Sequence, residues 1–393
     1  MRAALFLSAA LLAAPAYAQN NQVQLRGVTA VTEVEVGEAQ DVGATAVAGG
    51  NAVTAVNDGV DATRTNSQSM SGNTRAEAHG EVWDAPGVVT ITSAAVNNGA
   101  TATARNGDLD MSSAQNNSGN ASALTTLHSG YAGYGSTSAS ASGNVGALSA
   151  ENSEIRAIST QNSAGAISAI SEADYDAADI GASAAIASAN SVAIGGDTST
   201  VLTDTTQNAA GAVSARSDLY VGYANDASGN ATANGNALTI DNQWGYVNAR
   251  AAQQSSANVQ ADSYVTLGGD FTGFASAGAY GVGNSATVGN VGSDTVLNVA
   301  QENSGDIGAN AALIGEGGDM ALASAAAYGN SVSASLCGYC DTNVPELRAA
   351  NTQTNDGDVS AHSSVSAPRA RMVGATSTAI GNAATFQSTG PTN

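Results

Sequence analysis

Lysine is missing from this chain of 393 residues: its 11 basic residues are all arginine, against 33 acidic ones, for a formal net charge of -22. That balance excludes nucleic acid and anionic phospholipid as natural partners, because both are polyanions bound through basic patches. Aromatic residues are 4% and charged residues 11%, too few of either for bulky side chains packed between amphipathic helices. There are two cysteines and five prolines, so neither a disulfide framework nor a proline-stiffened chain is on offer. After the first residues no apolar run approaches the roughly 20 residues needed to span a bilayer. Alanine, glycine, serine, threonine and asparagine fill the space that remains, and they suit a thin core of small side chains.

The chain repeats itself about every 46 residues. An asparagine recurs at Asn51, Asn97, Asn144, Asn190, Asn236, Asn284, Asn330 and Asn382, and a glutamine at Gln68, Gln115, Gln161, Gln207, Gln253, Gln301 and Gln353. A fixed period over nearly the whole length means that one unit cannot bury its own apolar face and must stack on the next, so the molecule is an elongated array. Before each glutamine the alternate residues read Leu109, Met111, Ser113, Gln115; Ile155, Ala157, Ser159, Gln161; Val201, Thr203, Thr205, Gln207. The opposite set holds Asp110, Arg156 and Asp204, and alternation with charge on one side marks a half-buried strand. A weaker echo follows about 22 residues after each asparagine, at Gly72, Gly119, Gly165, Gly211, Ala257, Gly305 and Gly357. Two coils of about 23 residues per repeat are therefore expected, with Gly and Asn at the corners.

The expected fold is all-β: an elongated β-solenoid of about eight 46-residue repeats, each about two coils, or roughly 15 coils and 70 Å in all at the strand spacing of a sheet. Stacking accounts for the recurring amides. A buried amide costs about 1 to 3 kcal/mol when unpaired, but a column of amides bonds up and down the axis. The asparagines and glutamines are thus expected to form structural ladders, with successive glutamines of one column about 9 to 10 Å apart. The exposed edges of such a stack can pair with another copy, which makes a homo-oligomer expected.

Residues 1–18 read as a signal peptide. Arg2 is followed by an apolar stretch and by Ala16-Tyr17-Ala18, with cleavage expected before Gln19. Residues 19–41 form an N-terminal segment, 42–384 the repeat solenoid with an insertion loop at 336–348, and 385–393 a C-terminal tail. Export places the mature chain at the cell surface or associated with the outer membrane. Cys337 and Cys340, in the insertion loop, are expected to pair as a local disulfide in an oxidising compartment.

Other chemistry is thin. His79, His128 and His362 are expected to be separated along the rod. Gly196-Asp197, Gly269-Asp270 and Gly318-Asp319 are similar to parts of calcium loops, but the nine-residue pattern of calcium-bound β-rolls is absent. No nucleophile elbow, phosphate loop or metalloprotease helix is found; no catalytic residue, metal or cofactor is expected, and the chain reads as a non-enzyme. Trp83, Tyr131, Tyr134, Tyr220, Tyr223 and Trp244 are candidates for stacking on sugar rings.

Thr160-Gln-Asn-Ser-Ala-Gly-Ala166 and Thr206-Gln-Asn-Ala-Ala-Gly-Ala212 are clear copies of one motif. With the composition and repeat style, they make the chain resemble the holdfast attachment protein D family of stalked alphaproteobacteria. The resemblance implies a surface protein that anchors the polysaccharide holdfast to the cell envelope together with a small curlin-like partner and an outer-membrane secretion lipoprotein. The amide ladders are similar to curlin repeats, which keeps a curli-like fibre subunit as an alternative. Ala189-Asn-Ser-Val-Ala-Ile-Gly195 is similar to head repeats of trimeric autotransporter adhesins, a second alternative. A polysaccharide-modifying β-helix enzyme is the third, and convergence of surface carboxylates into a groove is the feature that would favour it.

Overall fold

The computed structural model describes residues 16–338 and 345–390. All its regular elements are strands, and every pairing between them is parallel. One turn of the chain shows the plan. The strand Thr200–Ala209 ends at a tight corner around Gly211, and the long strand Val213–Gln243 follows. Its pairing lapses at Gly222, Asn225 and Gly235, which divides it into 213–221, 227–234 and 236–243. The chain then turns at 244–246 and enters Val247–Ser255, which pairs in register with Thr200–Ala209 where the turn began. Eight short strands of this kind stack into one parallel sheet, and the remaining strands, long and short, form a second sheet of 12.

The coil is therefore wide and flat. Segments 200–209 and 213–221 form one layer, and 227–243 returns as the other. Alternation sends Val213, Ala215, Leu219, Ala227, Ala231 and Ala233 into a first core and Leu238, Ile240, Val247 and Ala249 into a second. Between the two cores runs a polar seam. Gln68, Gln115, Gln161, Gln207, Gln253, Gln301 and Gln353 each donate from Nε2 to the Oε1 of the glutamine one coil nearer the N-terminus, at 2.7–2.9 Å, the first accepting residue being Gln22. The second Nε2 proton goes to a carbonyl of the facing layer, such as Ala237 O for Gln207.

The asparagine column runs the other way. Asn51, Asn98, Asn144, Asn190, Asn236, Asn284 and Asn330 each donate from Nδ2 to Oδ1 of the asparagine one coil nearer the C-terminus, ending on Asn382, at 2.7–2.8 Å. Their other proton crosses to the opposite layer, as from Asn236 to Gln254 O. Fourteen amide bonds thus tie coil to coil while the same nitrogens tie layer to layer, and the two column dipoles oppose each other.

This arrangement corrects the two-coil expectation. Gln115 and Gln161 are direct neighbours in register, so the 46-residue period is a single coil, and successive amides are hydrogen-bonded rather than 9 to 10 Å apart. Eight coils give a rod of about 38 Å, not 70 Å. The glycine echo is not the start of a second coil; it is the mid-layer corner, where a Cβ on Gly165 would strike the backbone at Gly119 and one on Gly211 the backbone at Gly165. One ladder position also shifts. The column passes through Asn98, and Asn97 instead donates to Asn117 Oδ1 and Gly119 O at a corner. The cause is one extra residue at a bulge between Ala85 and Val88, which advances everything after it by one.

Strand boundaries extend beyond those expected for the solenoid. The first coil already contains Ala16–Gln24 and Val28–Glu38, paired in register with the second, so residues 19–41 are part of the array. At the other end Met372–Thr389 carries the last coil past residue 384. In the insertion loop, strands end at Cys337 and resume at Leu347. Cys340 lies outside the described residues, and with it the Cys337–Cys340 pairing; so do residues 1–15 of the signal segment.

Candidate functional site

The two ends of each flat coil are corners, and they differ in chemistry. At the 244–246 type corner the leading residue takes a left-handed backbone in six successive coils: Gly59, Asn106, Asn152, Thr198, Trp244 and Gly292. Trp244 lies there with its ring against Gly292, apart from the other candidate aromatics.

The opposite corner gathers the rest. Trp83 precedes Asp84, Asp84 pairs with Tyr131, Tyr131 with Ala177 and Ala177 with Tyr223. Just beyond, Val88, four residues on because of the bulge, and Tyr134, Ile180 and Asp226, each three residues on, form a neighbouring column. Trp83 is 69% exposed and Tyr223 51%. Glycine makes the platform possible: Gly130 stands beside Trp83, and a Cβ there would hit the Trp83 carbonyl. A hollow of about 630 Å³ opens between Glu38, Trp83, Asp84, Pro86, Gly130 and Tyr131. Tyr131 donates its hydroxyl to Asp179 at 3.2 Å. Partial burial first, then the Asp179 and Asp84 carboxylates, raise its phenol above the ordinary tyrosine range, so it stays a donor.

Within three residues of this edge the outer face of the same strands becomes an acidic groove. Stacking in register makes two columns, Glu33, His79, Thr126, Glu172, Asp218 and Glu35, Glu81, His128, Asp174, Tyr220. They enclose about 840 Å³ of open groove. His79 Nδ1 lies 2.7 Å from Thr126 Oγ1 and His128 Nδ1 lies 3.5 Å from Asp174 Oδ2. Asp218 accepts from Arg216 at 2.7 Å, and that guanidinium covers the Tyr264 ring. His79 and His128 therefore share one groove rather than being separated, while His362 stands three coils beyond the last groove residue, beside Asn310.

Chemically, this edge offers flat apolar rings framed by carboxylate and phenol groups, the combination that stacks on the faces of sugar rings and hydrogen-bonds their hydroxyls. The glycine-aspartate pairs do not converge: Asp270 pairs with Arg369 at 3.0 Å and Asp319 with Arg371 at 3.2 Å. Among the described residues no group of three or more His, Cys, Asp and Glu is arranged to hold a metal ion. The aromatic edge could not be assembled from the sequence, because Trp83 and Tyr223 are 140 positions apart and come onto one edge only through coil register. Gln22 and Asn98 were likewise missed as ladder members, the first because it precedes the clear repeats and the second because of the bulge.

Comparison with curated proteins and with solved structures gives no match. The family model of holdfast attachment protein D matches residues 36–308, more than two thirds of the chain and almost all of the coils that carry the aromatic edge and the groove. The chain belongs to the holdfast attachment protein D family.

Proposed function

We propose that this protein is an exported, non-enzymatic anchor that holds the polysaccharide holdfast to the cell envelope as an assembly of several copies. The observation that carries this reading is the convergence of Trp83, Tyr131, Tyr134 and Tyr223 with Glu38, Asp84 and Asp179 along one edge of a rigid rod. A stack of coils repeats its edge every 4.8 Å or so, which suits a ligand that is itself a repeating polymer. Attachment to the envelope in this reading falls to a second protein. An outer-membrane secretion lipoprotein is the partner that the family suggests, and the signal segment 1–18 supplies export.

Two experiments test this. Deleting the gene leaves adhesive synthesis intact but weakens retention, so adhesive stays on the surface when cells are washed away; normal retention, or loss of synthesis, overturns the anchor. Replacing Trp83 and Tyr131 together with alanine reproduces the shedding while the far-UV circular dichroism of the purified protein is unchanged.

The acidic groove favours a second reading, a glycan-acting enzyme, since carboxylates do converge there with Arg216 beside Asp218. Glu33, Glu35, Glu81, Glu172 and Asp174 are all exposed, and a carboxyl acid catalyst needs burial to hold its proton near neutral pH. Release of new reducing ends from holdfast polysaccharide by the purified protein, abolished by Glu172→Gln or Asp174→Asn, would establish this reading over the first.

A further inference from the structure

Among the described residues the first and last coils have nothing packed over their outer faces, and the two faces match. At the N-terminal end the asparagine column stops at Asn51, whose Oδ1 has no donor among the described residues, and the glutamine column stops at Gln22, whose Nε2 spends one proton on Ala52 O. At the C-terminal end the reverse groups are left over: the Nδ2 of Asn382 and the Oε1 of Gln353. Because the columns run in opposite directions, each end presents one amide donor and one amide acceptor, and each is the complement of the group in the same column at the other end. Two C-terminal ends brought together with like columns in line would set donor against donor and acceptor against acceptor.

Register extends the match over the whole cross-section. Following the pairings coil by coil, Gln353 occupies the column of Gln22, Val359 that of Val28, Val373 that of Val42 and Asn382 that of Asn51, and each pair is separated by the same 331 positions. No inserted residue disturbs the fit of the last coil on the first. Inward side chains alternate in size, with Phe386 over Ala55 and Ala384 over Val53. Phe386 and Val373 are 44% and 50% exposed, whereas the coil beneath buries Ala334 and Ala321 at these columns to 1% and 0%, so the C-terminal end is an open core section. Arg369, which pairs with Asp270 and Glu316 in its own chain, falls on the column of Glu38, in the corner that also holds Arg371, paired with Asp319, and, on the other end, Asp41.

We propose that the rods join head to tail, the C-terminal coil of one copy seating on the N-terminal coil of the next, so that both amide ladders and both apolar cores run through the junction. The interface gives the assembly of the anchoring proposal its geometry and rests on that reading only for its biological use. A heterologous contact of this kind does not close on itself, so the product is an open filament of rods. The exposed backbone edges of the terminal strands add the hydrogen bonds of one further sheet pairing along each layer.

The test uses two variants, each damaged at one end. Phe386→Glu, with Asn382→Asp as the milder change, blocks the C-terminal end; Val53→Glu, with Gln22→Glu as the milder change, blocks the N-terminal end. Sedimentation of the purified wild-type protein shows a series of oligomers that lengthens with concentration and with added salt, which screens the net negative charge. Each glutamate variant alone is monomeric, with self-association weakened about a hundredfold or more by the carboxylate forced into the junction. An equimolar mixture of the two gives a discrete dimer and nothing longer, because one intact head and one intact tail remain. Dimers formed by either variant alone, or no heterodimer in the mixture, overturn the interface, and unchanged thermal unfolding of each variant shows that the coil itself is intact. Monomeric variants that still retain holdfast on cells separate the two proposals, removing the interface from function and leaving the anchor.

Discussion

Tyr175 is the largest fully buried side chain of the first core, and it fits because glycine faces it: a Cβ on Gly135 would run into its ring. Its hydroxyl has no hydrogen-bond partner among the described residues, an arrangement that costs about 1 to 3 kcal/mol relative to a satisfied or absent group. Burial, and secondarily the Tyr134 phenol, push its pKa far above the usual tyrosine value. For an acid held neutral in the folded state, the stability is fully present below the unfolded pKa of about 10 and is lost as pH rises toward the folded one. Tyr175→Phe is accordingly expected to raise stability by about 1 kcal/mol at pH 7. It is also expected to flatten the decline of about 1.4 kcal/mol per pH unit that begins near pH 10. Urea unfolding at pH 7 and pH 11 reads both effects, and a phenylalanine variant less stable than wild type at pH 7 would show that the hydroxyl has a partner.

At the scale of elements, the coil depends on its corners. The mid-layer corners need glycine because the backbones of neighbouring coils touch there, as at Gly119, Gly165 and Gly211. The outer corners need a left-handed residue, and the sequence meets that need unevenly. Asn106 and Asn152 suit it, whereas Thr198 adopts φ of 52° with a branched Cβ, a conformation that costs a β-branched residue of order 1 kcal/mol or more. Its hydroxyl bonds only the exposed Asp197, so little is lost on removal. Thr198→Asn should raise the unfolding free energy by about 1 kcal/mol, measured by denaturant titration. Destabilisation by the same amount would mean that the hydroxyl matters more than the backbone.

The whole molecule behaves as a one-dimensional stack in which each coil pairs its strands only with its neighbours, while the Arg369–Asp270 ion pair reaches two coils along. Removing the last coil by ending the chain after Gly338 is therefore expected to leave a folded rod. The strand signature per residue in circular dichroism should persist, and the fall in melting temperature should be a few degrees, reflecting one lost interface out of seven between eight short strands. Global unfolding on this truncation would show instead that the C-terminal coil is an obligatory cap. The same stacking explains how function is built. A single coil carries at most a few exposed aromatics, and the edge becomes a surface only when Trp83, Tyr131 and Tyr223 are brought into line by successive turns.

By itself the sequence determined the class of fold. A period of 46 with Gln161 and Gln207 at fixed places, alternation of the kind seen in Val201, Thr203 and Thr205, and small side chains throughout leave little but a parallel β-stack with amide columns, because these are local signals carried by each repeat. It could not determine how many coils one period makes. A strand and its echo about 23 residues on look alike whether the second lies above the first or beside it, and the choice depends on which strands meet across the core. In the folded chain Gln161 bonds Gln115 directly, and a stretch such as 190–197 and its echo at 213–221 lie in opposite layers of the same wide, flat stack. Tertiary structure alone likewise decided that Asn98 replaces Asn97, through a one-residue bulge, and that aromatics 140 positions apart share an edge. Register between coils accumulates every inserted residue along the chain, and only the stacked backbone fixes where that sum places a side chain.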